Sequence, residues 1–191
     1  MSLFFATGNE HKFEEARELA KNYDLEIEHR NISYIEIQAD DLVEVVKPGA
    51  QQASSMIGSP CFVEDAGLFV KHLKGFPGPY SSYVYKTIGN QGILRLMDGV
   101  EDRDAEFRSA VGYCEPGSEP EIFVGKVEGA ITTDSRGSKG FGYDPIFVPK
   151  EGEGGTFAEM STEMKNYLSH RADAIEKLVK WYIRNKKADG D

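Results

Sequence analysis

The chain has 191 residues, with 22 Lys and Arg against 32 Asp and Glu, for a net charge of −10. Long nucleic acids and anionic membrane surfaces draw their affinity from clustered Lys and Arg, so this balance excludes both as general partners. It leaves room for a small anionic ligand where the scarce positive charge is concentrated. A hydrophobic content of 40% and an aromatic content of 11% supply a real core and exclude a disordered acidic chain. No apolar run approaches the roughly 18 residues of a membrane span. The length predicts a single domain over residues 1–187, with a frayed tail at 188–191.

Residues 2–6 are a short apolar run that reads as a first strand rather than a leader segment. Thr7-Gly8-Asn9 follows, and then a helical pattern with Phe13, Ala16, Leu19 and Ala20 on one face and Glu14, Glu15, Arg17 and Lys21 on the other. Residues 25–37 alternate loosely and predict one or two strands. Residues 41–57 read as helix, with Pro48-Gly49 expected to split or kink it. Cys61-Phe62-Val63 predicts a buried strand running into Glu64-Asp65, and Leu68-Phe69-Val70 a second extended piece. Residues 75–79 are too rich in Pro and Gly for regular structure. Residues 81–97 predict a helix broken near Gly89. Residues 105–114 and 121–128 predict two strands joined by a hairpin. Glycines then crowd residues 129–155, and a helix over 170–186 closes the chain. Cys61 and Cys114 both sit in apolar strands without CxxC spacing, which predicts two buried reduced thiols. Helices interleaved with strands predict an α/β fold: an elongated mixed β-sheet flanked by helices, in two lobes around a central cleft.

Four groups of residues carry chemical potential. Thr7-Gly8-Asn9-Glu10-His11-Lys12 joins a strand to a helix, where backbone N–H groups, a glycine and a lysine one turn in suit an anion. Glu64 and Asp65 end an apolar strand, and Glu36 lies between Ile35 and Ile37. Carboxylates in such settings need a partner, and oxygen ligands suit Mg²⁺. In Gly140-Phe141-Gly142-Tyr143-Asp144-Pro145, aromatic residues framed by glycines can offer a flat face to a base. Pro145 and the apolar run after it leave no helix to receive a pyrophosphate, which excludes a dinucleotide loop. Lys165, His170 and Arg171 place cations near the start of the last helix, with Ser169 as a candidate cap. Together these groups describe a nucleoside triphosphate site without a P-loop.

The sequence resembles the inosine triphosphate pyrophosphatase, or Ham1-like, family along almost its whole length. The likeness rests on Thr7-Gly8-Asn9 with Lys12, Glu36 with Gln38, Val63-Glu64-Asp65 with Gly67-Leu68, Gly75-Phe76-Pro77-Gly78-Pro79-Tyr80, Phe141-Gly142-Tyr143-Asp144-Pro145, and Ser169-His170-Arg171. The resemblance implies a cytoplasmic, homodimeric, Mg²⁺-dependent enzyme. Its expected reaction is hydrolysis of ITP, dITP and XTP to the monophosphate and pyrophosphate, a house-cleaning role. It implies Asp65 as general base, Glu36 and Asp65 as metal ligands, and Glu64 as a supporting carboxylate. The Thr7–Lys12 loop and Lys165 would contact the triphosphate, with Lys12 also assisting catalysis. Ala66, where many members carry Ser, has only its backbone to offer. Phe141 would stack on the purine, Gly142, Tyr143 and Asp144 would shape its pocket, and His170 and Arg171 would read the 6-oxo edge. Two other readings of the residues stay open, a pyrophosphatase for modified pyrimidines and a nucleotide sensor without turnover.

Overall fold

The computed structural model describes residues 2–188, with side chains to 185. It is a mixed α/β fold built on a seven-stranded sheet. The strands are β1 (Ser2–Ala6), β2 (Glu26–Arg30), β3 (Cys61–Val70), β4 (Pro77–Gly78), β5 (Asp104–Cys114), β6 (Glu121–Ile131) and β7 (Phe147–Pro149). Their order is β2-β1-β3-β5-β6-β7, with β4 paired to β3. β1 runs parallel to β2 and β3, while β3–β4 and β6–β7 are antiparallel. The helices are α1 (Glu10–Lys21), α2 (Leu42–Ile57), α3 (Ser81–Thr87), α4 (Gly89–Leu96), α5 (Thr162–Leu168) and α6 (His170–Ala188). Ala188 thus closes α6, and the rest of the expected frayed tail lies outside the described residues.

The chain forms two compact units, each discontinuous in sequence. The first comprises residues 1–65, 109–125 and 171–191, the second 66–108 and 126–170. Each has its own core. In the first, Leu3, Phe5 and Phe62 meet Ile175, Leu178 and Val179 of α6, and Phe5 stacks on Phe62 at 4.3 Å. In the second, Leu68, Ile93, Met97, Phe107, Phe147 and Phe157 close together. No described helix is long and apolar enough to cross a membrane.

Several local expectations change. α2 passes through Pro48 without interruption, because its buried face (Val45, Val46, Gly49, Ala50 and Ala53) continues across the proline. Packing of that face outweighs the one hydrogen bond the proline cannot make. β3 is one ten-residue strand rather than two pieces, and β4 pairs with its second half. Only residues 26–30 of the 25–37 stretch form a strand. The break at Gly89 is present, with φ +61° separating α3 from α4. The glycine-dense region contributes the end of β6, a 3-10 turn at Asp144–Ile146 and β7. That short 3-10 turn and then β7 follow Gly142, where a dinucleotide loop would lead into an α-helix.

Candidate active site

α1 starts as its sequence predicts. Asn9 is extended, and its Oδ1 accepts from the N–H groups of His11 and Lys12 at 3.0 and 3.2 Å. Thr7 is buried, and its Oγ1 accepts from the Asn9 N–H at 3.1 Å. His29 Nε2 donates to the Thr7 carbonyl at 2.7 Å while its ring stacks on Phe13. The loop is therefore fixed at both ends. Gly8 between them is exposed, and a Cβ there would meet only Asn31 Oδ1 at 3.9 Å. Glu10 and His11 are exposed on the first turn.

Lys12 does not reach into solvent. Its Nζ lies 2.9 Å from Glu64 Oε2, 3.0 Å from the Glu64 carbonyl and 3.9 Å from Asp65 Oδ1. Successive residues of a strand face opposite sides, and this separates the two carboxylates of β3. Glu64 is buried, and two donors reach its Oε1: Ser109 Oγ at 2.6 Å and Arg171 Nε at 3.1 Å. Burial would push its carboxyl up, but the charges of Arg171 and Lys12, with hydrogen bonds from Lys12 and Ser109, bring it down to about 2. Asp65 is partly exposed.

Arg171 also donates from Nη1 to Glu15 Oε2 at 2.6 Å and is itself buried. The family resemblance has Arg171 reading a base edge. In the structure its guanidinium pairs with two carboxylates, as a desolvated charge requires. The same contact takes Glu15 out of the polar face assigned to it by helical period.

Glu36 also differs from its expected setting. It lies outside any strand and is exposed, with Ile35 71% and Ile37 41% exposed beside it. Its link to the other carboxylates is Tyr34, which the sequence did not single out. Burial, and then the charges of Glu36, Asp65 and Glu64, raise the Tyr34 hydroxyl above its ordinary range. The Tyr34 ring lies where a Cβ on Gly49 would come within 3.0 Å. Among the described residues, no three His, Cys, Asp or Glu side chains are grouped closely enough to hold a metal alone. Glu64 is neutralised by its own cations, leaving Asp65 and Glu36 as accessible oxygen donors. That set fits Mg²⁺, which keeps several waters and takes one or two carboxylates plus substrate phosphates.

In the second unit, Asp144 organises the aromatic loop. Its Oδ2 accepts from the Phe141 N–H at 2.8 Å and from Lys165 Nζ at 2.7 Å. Gly140, at φ +70°, leaves the space Asp144 occupies, since a Cβ there would sit 2.0 Å from Asp144 Oδ2. The Lys165 ammonium stands 4.8 Å from the centre of the Phe141 ring, a cation–π distance. Lys165 belongs to α5 rather than to the start of the last helix, and is buried against Asp144. The sequence gives no sign of α5 because seven residues are too few to show a period. Ser169 is extended between α5 and α6. Tyr143 donates to the Ser81 carbonyl at 3.0 Å, and Asn90 Nδ2 to the Gly142 carbonyl at 3.1 Å. His170 is buried and stacks on Phe107 at 4.7 Å. Ala66, beside Asp65 on β3, is partly exposed. Both thiols are buried as expected, and burial beside Cys114 pushes Cys61 up to about 12.

A mixed sheet that carries a capped helix start and a carboxylate pair of divided environment defines an α/β protein whose helix start suits a small anionic ligand. The chain belongs to the Ham1 family, whose pattern it matches over residues 3–181. It is 50% identical to the dITP/XTP pyrophosphatase of Methanopyrus kandleri over 97% of this chain and 98% of that one. It is 52% identical to the dITP/XTP pyrophosphatase of Methanothermobacter marburgensis over the same shares. Among solved structures it is similar to a HAM1 protein from Coxiella burnetii, at 28% identity and a TM-score of 0.85, covering 96% of this chain and 99% of that one.

Proposed function

We propose that the chain hydrolyses dITP, ITP and XTP to the monophosphate and pyrophosphate, removing deaminated purines from the nucleotide pool. The observation that carries this reading is the division of labour on β3. Glu64 is locked by Lys12, Ser109 and Arg171, while its neighbour Asp65 stays accessible. A buried, permanently ionised carboxylate fixes geometry, and a partly exposed one can accept a proton.

Asp65 takes the proton of the attacking water on its carboxylate. Lys12, held beside it, supplies positive charge to the phosphates, and the N-terminus of α1 adds its dipole. Gly8 leaves space for a phosphate to approach the backbone. Asp65 and Glu36 would hold Mg²⁺, which when bound neutralises phosphate charge and acidifies water. Phe141 offers the stacking face for the base. Rejection of ATP and GTP follows from buried polar groups that an exocyclic amine leaves unpaired. A homodimer and a cytoplasmic location belong to the same reading, and sedimentation of the purified chain tests the first.

The test is pyrophosphate release from ITP, dITP, XTP, ATP, GTP and dUTP, with and without Mg²⁺. Deaminated purines are expected to exceed the others by about 100-fold in kcat/KM. Preference for dUTP would replace the purine reading, and tight ITP binding without product would make the protein a sensor. Asp65→Asn is expected to keep ITP binding and lose at least about 100-fold in turnover. Near-normal turnover in that variant removes Asp65 from the role of base.

A further inference from the structure

The segment that bears Phe141 is held from two directions. Asp144 and Lys165 fix it from its own side and from α5. The second hold comes from α3 and α4, through Tyr143 to the Ser81 carbonyl and through Asn90 to the Gly142 carbonyl. The Asn90 contact has one unusual feature. Its Nδ2 donates at 3.1 Å, yet its Oδ1 is buried with no hydrogen-bond partner among the described residues. An unpaired buried acceptor is costly, and an apolar residue would fill the same space without that cost. Asn90 is therefore poorly explained by packing alone.

Its donor meets a glycine whose α-carbon stands in open space. Gly142 sits at φ +61°, and a Cβ added to it would have no neighbour within 4 Å. Its carbonyl belongs to the peptide that follows Gly142, so a hold there limits how far the glycine hinge beside Phe141 can turn. The broken helix explains how Asn90 gets there. Gly89, at φ +61°, ends the turn of α3 and places residue 90 in the first turn of α4.

We infer that Asn90 is a positioning residue for base recognition: its carboxamide holds the Gly142 carbonyl and thereby fixes the face that Phe141 presents to the purine. The inference rests on the reading in which Phe141 stacks on the base.

The test is a double-substitution cycle on the full chain, with KM and kcat for ITP and the thermal midpoint measured for each variant. Asn90→Ala is expected to raise KM about tenfold, equivalent to about 1.4 kcal/mol, with kcat changed less than about threefold. In a Phe141→Ala background the same substitution is expected to change KM less than about twofold, because its effect passes through that ring. Asn90→Asp keeps the size of the side chain but sets an acceptor against the carbonyl, and is expected to raise KM at least as much. An unchanged KM in both Asn90 variants overturns the inference, and so does an equal rise in both backgrounds. A fall in thermal midpoint with KM unchanged assigns Asn90 a structural role only and overturns it as well. If Phe141→Ala itself leaves KM unchanged, the stacking reading fails, and this inference fails with it.

Discussion

Glu64 shows how a buried carboxylate is held ionised by the cations around it. Its carboxyl is held at about 2 in the folded chain against an ordinary value of 4.5. A depressed pKa stabilises the fold above the unfolded value, and that contribution is lost as pH falls through the folded value. The window is therefore about pH 4.5 down to 2, and the contribution is about 3 kcal/mol at neutral pH. Glu64→Gln removes the charge that Lys12 and Arg171 share, leaving Arg171 to Glu15 and Lys12 to Asp65, and is expected to cost about 3 kcal/mol at pH 7. The gap to wild type should narrow steadily as pH falls below 4.5, where the wild-type carboxyl gains its proton on unfolding. Urea unfolding at pH 7, 5, 4 and 3 checks this, and a gap that stays constant across that range contradicts it.

At the scale of elements, the loop of Phe141 offers a sharp contrast between two glycines. Both have left-handed backbones, but a Cβ at Gly142 meets nothing within 4 Å while one at Gly140 meets Asp144 Oδ2 at 2.0 Å. Gly142→Ala is expected to cost about 1–2 kcal/mol for the backbone alone. Gly140→Ala adds displacement of a buried carboxylate and is expected to cost at least about 2 kcal/mol more. Equal costs in urea unfolding would refute the cradle. The Thr7–Lys12 start is legible in sequence because capping is local, with Asn9 reaching only two and three residues ahead. The setting of Arg171 is not, because its partners Glu15 and Glu64 lie 156 and 107 residues away. Glu36 misleads because apolar neighbours in sequence imply burial only when the strand exists, and Ile35 and Ile37 remain exposed. Ser109 and Asn90 give no signal, since each acts on a partner far along the chain. Order and type of most elements, by contrast, follow from periodicity and glycine placement.

For the molecule as a whole, the net charge of −10 takes on a local meaning. Lys12, Lys165 and Arg171 are all drawn inward onto Glu64, Asp144 and Glu15 rather than displayed as a basic surface. Polyanions are bound by displayed cations that release counterions. The chain is accordingly expected to show no binding to duplex DNA at about 50 mM salt by fluorescence anisotropy, to the highest soluble protein concentration, and micromolar binding would overturn that view. The pairing of Lys165 with Asp144 also limits how such a chain can diverge. Loss of either charge removes the counter-charge 2.7 Å from the other in the core, and any side chain at position 140 evicts the carboxylate. Changes at these three positions are therefore epistatic. A neutral pair replacing both charges is tolerated where either single change is not, so the loop and α5 are inherited as one block.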